Sequence, residues 1–365
     1  MAGSIFNRRW CLAVEQQFAP RLIAWQKDHG RHGLPWQVSD PYRVWLSEIM
    51  LQQTQVSTVL GYYPRFLQRF PDLATLAAAP VDDVLAYWSG LGYYTRARNL
   101  HKAAQKVVSE FGAVFPAERE AIETLPGIGR STAAAIAAFC FGRRETILDG
   151  NVKRVLARCF GVEGYPGDKP VETQLWQLAE RLLPADNLDM VPYTQGLMDL
   201  GATVCTRSKP VCTLCPMVDG CIAARDGRTA ELPVKKPKKA VPERETVMLL
   251  ALRDGEVLLE RRPPSGIWGG LLSLPQFDST LAIVDWLAAN GEGDLAPAWP
   301  PLVHVFTHFK LTITPQCVEL VRLSGDVCAD NGWQWWPLAT ALDAGVPAPV
   351  RRLLQQALDG AVPAE

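Results

Sequence analysis

Leu125-Pro126-Gly127-Ile128-Gly129 is the stretch on which the reading of this chain turns. It separates two helical patterns, residues 117–124 and 130–141. Its glycines let backbone N–H groups approach an anion closely, with the positive N-terminus of the next helix behind them. A tight αα turn is the plainer reading of the same five residues, and the pentapeptide alone does not choose between the two. The surroundings are helical as well: apolar residues recur at i, i+3 and i+4 through residues 18–25, 44–51, 81–88, 100–108, 133–139, 152–159 and 175–183.

Beyond residue 245 the pattern changes. Residues 247–252 and 257–260 flank Asp254-Gly255, a β-hairpin signature. Residues 303–318 also read as strands, and residues 281–289 and 350–358 as helices. The 365 residues therefore divide into an all-α domain over 1–231, a linker over 232–245 and an α+β domain over 246–365. Pro233, Pro237 and Pro242 keep the Lys-rich linker from forming a helix. The longest apolar run, Ala133 to Phe141, is too short to span a bilayer, and no apolar stretch follows Arg8 and Arg9 to make a secretory signal. A cytoplasmic protein with reduced thiols is expected.

Cys205, Cys212, Cys215 and Cys221 form C-x₆-C-x₂-C-x₅-C, while Cys11, Cys140, Cys159, Cys317 and Cys328 are scattered, mostly in apolar runs. Four thiols within 17 residues of a reduced chain point to a metal centre. Structural zinc usually takes two short-spaced pairs and this run has one, so a [4Fe–4S] cluster fits better, with zinc as the alternative. Arg207 and Lys209 sit between the first two cysteines, where a ligated loop would show them to phosphate.

Asp149 precedes a helical stretch and, taken alone, reads as an ordinary N-cap. The order helix-hairpin-helix (about 118–141), Asp149 and then four cysteines, however, resembles the endonuclease III superfamily of DNA base-excision glycosylases. In the bifunctional members a lysine follows the hairpin as Schiff-base nucleophile. Here Ser131 stands in that place, and no lysine lies between Lys106 and Lys153. Residues 45–55 (WLSEIMLQQTQ), 90–104, 147–158 and 198–212 resemble the signatures of the branch that removes adenine opposite 8-oxoguanine.

That resemblance implies double-stranded DNA with A:8-oxoguanine or A:G mispairs as partner, base flipping, and a monofunctional, monomeric enzyme. It makes Glu48 the acid that protonates adenine, which requires a raised pKa; Leu46, Ile49, Met50 and Leu51 could supply the desolvation. An isolated glutamate in such a helix would read as a solvated surface residue. Asp149 would stabilise the cationic sugar, with Asn151 beside it and Ser131 ordering the site. Gln53 and Tyr93 would wedge near the orphaned 8-oxoguanine, Arg31 and Gln195 would line the adenine pocket, and Gly127 and Gly129 would hold phosphate. An endonuclease III-like lyase on oxidised pyrimidines is the alternative enzyme, and a catalytically silent DNA-binding module the non-enzymatic one.

Residues 247–277 resemble the opening of a Nudix fold, but Asp278, Asp285 and Glu292 lack the spacing of its metal-binding Glu-rich helix. In the resembled branch this domain reads the oxidised guanine through a Phe-Ser-His segment. This chain has Phe306-Thr307-His308, so Thr307 and His308 are the candidate contacts.

Net charge is −1, which at first argues against nucleic acid. By segment it is +2 over residues 1–231, +3 over 232–245 and −6 over 246–365. The helical domain concentrates Arg96, Arg98, Lys102, Lys153, Arg154, Arg158, Arg207 and Lys209, the expected phosphate-facing cations.

Overall fold

A computed structural model describes residues 3–236, 241–324, 328 and 332–360. Pro237, Lys238, Lys239 and Ala240 of the linker, and the Cys11 side chain, lie outside the described residues. In chain order the helices are α1 (Gly3–His29), α2 (Pro41–Leu51), α3 (Val56–Arg69), α4 (Leu73–Ala78), α5 (Val81–Trp88), α6 (Thr95–Phe111), α7 (Arg119–Glu123) and α8 (Arg130–Phe141). There follow α9 (Gly150–Phe160), α10 (Lys169–Arg181), α11 (Met190–Asp199), α12 (Ile222–Arg225), α13 (Thr280–Asn290), α14 (Leu338–Ala341) and α15 (Ala348–Leu358). Contacts group the chain into two compact units, each discontinuous in sequence: Met1–Gln53 with Lys102–Lys238, and Thr54–His101 with Lys239–Glu365.

The first unit is helical. Ala133 through Ala138 of α8 are all buried, so this helix is enclosed on every side, and α2, α7 and α11 pack on it. Around it Phe18 and Leu22 of α1, Val152 and Leu156 of α9, Leu175 of α10 and Tyr193 and Leu197 of α11 form one core. Apolar spacing does not reveal α11, because Pro192 and Gly196 interrupt it. Pro192 lies in the first turn, where no intrahelical N–H is lost. Gly196 permits close packing: a Cβ there would stand 3.1 Å from Leu22 Cγ on α1. Immediately after α11 the backbone widens into a π-helical turn, Leu200–Val204.

The second unit joins α3, α4, α5 and the start of α6 to a mixed eight-stranded sheet. Its strands are β1 (Glu243–Arg253), β2 (Glu256–Arg261), β3 (Leu272–Ser273), β4 (Gln276–Phe277), β5 (Gly291–Leu295), β6 (Leu302–Val305), β7 (Lys310–Leu323) and β8 (Trp333–Pro337). The main path runs β3-β2-β1-β7-β5; β4 pairs with β1, β6 with β7 and β8 with β2. Among the described residues only β1 and β7 run parallel, and Val247–Ala251 of β1 is buried without alternation, as a strand covered on both faces requires. Asp254 and Gly255 both have positive φ (+50° and +79°) and join β1 to β2, the primed turn that the dipeptide predicted. The α+β character expected beyond the linker is what the sheet, α13, α14 and α15 display.

Candidate active site

Asp40 caps α2 through a 2.9 Å bond from Arg43 N, and Pro41 starts the helix. Trp45, Leu46, Ile49 and Met50 are then buried, and Glu48 lies half-buried among them. Burial pushes the Glu48 carboxyl up to about 8, and the charge of Asp149 adds to the rise. Asp149 is the N-cap of α9: its Oδ1 accepts from Asn151 N at 2.9 Å and Val152 N at 2.8 Å. Burial raises its pKa too, but the two N–H groups, Arg154 and Lys153 oppose that rise. Glu48 has no such support. The surroundings therefore favour the protonated form more at Glu48 than at Asp149, whose carboxylate lies at a helix N-terminus that favours negative charge. Cys140, one of the scattered cysteines, sits near enough for Asp40 and Glu48 to help burial push its thiol up to about 12.

The cap and the chemical reading of Asp149 are thus compatible. Ser131 Oγ accepts from Leu148 N at 3.0 Å and so fixes the backbone leading into Asp149. Asn151 Oδ1 accepts from Arg154 Nη2 at 2.9 Å, and the same nitrogen donates to Gly201 O at 2.7 Å. A Cβ at Gly201 would lie 2.6 Å from Asn151 Cβ, so only glycine lets the π-helical turn come this close.

Arg31 and Gln195 meet on a residue the sequence did not single out. Asp199, at the end of α11 and fully buried, accepts from Arg31 Nε at 2.7 Å and Gln195 Nε2 at 2.8 Å through Oδ1, and from Arg31 N at 2.8 Å through Oδ2. No local signal marks it; its partners lie up to 168 positions away. Because a carboxylate only accepts, it is the amide nitrogen of Gln195 that turns toward Asp199 and the amide oxygen that turns away.

Between α7 and α8 the hairpin has the predicted form. Gly127 adopts φ +80°, and Gly129 is an N-cap with no side-chain acceptor, which leaves the first N–H groups of α8 available to an anion. Gln53 (φ +59°) in the first unit and Tyr93 (φ +51°) in the second are both left-handed non-glycine residues, a conformation found at functional sites. Thr307 and His308 are exposed between β6 and β7, with Thr307 Oγ1 3.3 Å from His308 Nδ1. Beneath them Phe306 stacks on Phe309 at 4.5 Å.

Cys205, Cys212, Cys215 and Cys221 line one pocket, together with Arg158 and Pro210. Arg158 is buried and donates to the carbonyls of Leu232, Thr206 and Arg207 and to Cys205 Sγ, which staples the loop onto α9. Among the described residues no group of three or more His, Cys, Asp or Glu side chains is arranged to hold a metal ion. Four soft thiol donors around one small pocket are nonetheless a donor set that suits an iron–sulfur cluster.

Several expected phosphate-facing cations are corrected by the structure. Arg96 is 9% exposed and bonded to Thr54 Oγ1 and the Leu91 and Gly92 carbonyls; Arg158 is 3% exposed. Arg154 is committed to Asn151, Gly201 and Cys205, and Lys153 pairs with Glu172 at 2.6 Å. Arginine's five donors make it the residue that ties carbonyls together when buried. Lys102, Arg207 and Lys209 remain exposed.

A half-buried acid coupled to a capped carboxylate, together with an anion-ready hairpin, is the combination of a helix-hairpin-helix DNA glycosylase. Residues 46–181 match the HhH-GPD superfamily of base excision DNA repair proteins, and residues 246–356 match the NUDIX domain. An adenine DNA glycosylase of Buchnera aphidicola subsp. Schizaphis graminum is 36% identical, covering 93% of this chain and 98% of its own length; the Rattus norvegicus protein of that name is 34% identical over 93% and 77%. The chain belongs to the adenine DNA glycosylase family. Among solved structures, a thermostable thymine-DNA glycosylase superposes with TM-score 0.54 at 29% identity, covering 59% of this chain and 99% of its own. A trapped endonuclease III–DNA covalent intermediate shares the fold, with TM-score 0.50 at 20% identity over 58% and 98%.

Proposed function

We propose that this chain hydrolyses the N-glycosidic bond of adenine mispaired with 8-oxoguanine or guanine in double-stranded DNA, without a lyase step. The observation that carries the reading is the Glu48–Asp149 pair, in which burial pushes the Glu48 carboxyl up to about 8 while two backbone N–H groups support the Asp149 carboxylate. In a flipped nucleotide Glu48 delivers its proton to N7 of adenine, and the C1′–N9 bond breaks with its electron pair leaving on the base. The cationic sugar meets the Asp149 carboxylate, electrostatically or as an adduct, and water supplies the hydroxyl at C1′ while its second proton passes to the Glu48 carboxylate, which restores the acid. Asn151 and Ser131 order this corner through Arg154 and Leu148 N. A serine hydroxyl offers no amine for a Schiff base, so strand cleavage is not coupled to base release.

Arg31 and Gln195 line the adenine pocket, Gln53 and Tyr93 fill the space beside the orphaned base, and Thr307 and His308 read the oxidised guanine. Gly127 and Gly129 hold phosphate through backbone. Cys205, Cys212, Cys215 and Cys221 would hold a [4Fe–4S] cluster, which when bound makes their loop a rigid mount for Arg207 and Lys209. We further propose a monomer of the bacterial cytoplasm with domains at 1–231 and 246–365; no helix among the described residues is long and apolar enough to cross a membrane.

The test is a duplex carrying A opposite 8-oxoguanine, assayed for abasic sites before and after alkali. Base release with breaks only after alkali is expected. No release, or a borohydride-trapped adduct at lyase levels, would overturn the reading, and a thymine glycol duplex separates it from the lyase alternative.

A further inference from the structure

Tyr93 is 46% exposed and its φ of +51° follows Gly92 at +72°. A left-handed tyrosine persists only where its surroundings hold it. Part of the hold is local: the buried Arg96 guanidinium lies 5.3 Å from the Trp88 ring centre and 5.4 Å from that of Tyr93, and donates to the Leu91 and Gly92 carbonyls. The rest comes from the loop between α14 and α15, far along the chain but in the same compact unit.

There Val346 is fully buried, and its carbonyl accepts from Ser89 Oγ at 3.0 Å and Tyr94 Oη at 3.4 Å. Arg351 Nη2 donates to Ser89 Oγ at 3.1 Å and to the Ala344 carbonyl, while its Nη1 donates to the Leu342 carbonyl. The Tyr94 hydroxyl also accepts from Gly90 N at 3.3 Å. Ser89 and Tyr94 bracket the four residues 90–93, and both are tied to one carbonyl.

We propose that Ser89, Tyr94 and Arg351 are positioning residues for Tyr93: the C-terminal fold braces the tyrosine loop through Val346 and holds it in the geometry that supports base extrusion. This rests on the reading of Tyr93 as the wedge. It gives the C-terminal fold a second role, in which it steadies the element that acts when the adenine leaves the stack. Another link within the same unit, the two-pronged Arg261–Asp82 ion pair (2.8 and 2.9 Å), does not touch the loop and serves as a control.

The experiment uses full-length protein in a Glu48→Gln background, so that extrusion is read without cleavage. The duplex carries 2-aminopurine in place of adenine opposite 8-oxoguanine, and its fluorescence reports unstacking. Tyr94→Phe and Ser89→Ala each lower the extruded fraction by about fivefold, the order expected when a buried hydroxyl and its hydrogen bonds are lost. Ser89→Thr, which keeps the hydroxyl, restores it; Arg261→Ala leaves it unchanged; Tyr93→Ala abolishes it. If Tyr93→Ala reduces the signal while Tyr94→Phe and Ser89→Ala do not, the brace is wrong and the wedge stands. An unaffected Tyr93→Ala sinks the wedge and the brace together. Equal loss in Arg261→Ala reduces the contact to generic docking and overturns the proposal. Should Ser89→Ala fail to fold, Tyr94→Phe, which removes one oxygen, decides.

Discussion

Glu48 and Asp149 show how two coupled carboxyl groups meet different surroundings. Glu48 meets mainly desolvation, whereas Asp149 has two backbone N–H donors and a helix N-terminus. Glu48→Gln should cut base release by about 10²–10⁴-fold, as loss of a general acid does, with duplex affinity retained in a binding titration. In the wild type, single-turnover rates should hold below pH 8 and fall above it, since the proposed acid acts in its protonated form and burial pushes its pKa up to about 8. The same shift has a sign for stability. Between the ordinary value of 4.5 and about 8 the native protein keeps a proton that the unfolded chain has released, so stability falls with rising pH across that window. Glu48→Gln should accordingly raise the melting temperature, with a benefit that grows from about pH 4.5 to 8 and then levels off. At pH 7 the benefit is at most about 3 kcal/mol. A pH series of thermal melts checks this.

At the scale of elements, two glycines do work that no other residue can. Gly127 turns the hairpin at φ +80°, where a side chain costs about 1–2 kcal/mol. Gly127→Ala should therefore weaken binding to matched and mismatched duplexes alike, as the proposed contact of the hairpin with backbone and not bases requires; a titration with both duplexes is the check. Gly201 lets the π-helical turn approach Asn151, so Gly201→Ala should lower the single-turnover rate while affinity changes little. Asp199 acts between these elements by gathering α11 and the Arg31 segment on one carboxylate. Asp199→Ala strands buried donors and should cost about 3 kcal/mol in a denaturant melt.

For the whole molecule the net charge of −1 conceals unlike parts, and the structure shows that fewer cations face solvent than the sequence suggests. Arg96, Arg154 and Arg158 are spent inside, holding a strained loop, the Asn151 corner and the cysteine loop. Exposed Arg207 and Lys209 should then account for a distinct share of phosphate contact. Replacing both with alanine should reduce the slope of log affinity against log salt by about 2, measured by anisotropy across a salt series.

The sequence by itself determined what short-range chemistry determines: the LPGIG turn between two helices, Asp149 as a cap, the Asp254-Gly255 hairpin and the clustering of four cysteines. Each depends on backbone dihedrals or spacings within a few residues, and these survive any tertiary arrangement. Glu48 was legible only through its resemblance to a family, since its raised pKa comes from burial that an isolated helix does not supply. Only the tertiary structure decided that Asp199 joins Arg31 to Gln195, that α11 forms despite its proline and glycine, and that a carbonyl near the C-terminus braces the Tyr93 loop. Those facts rest on which distant groups share a desolvated space, where a donor without an acceptor is costly, and no local pattern encodes that pairing.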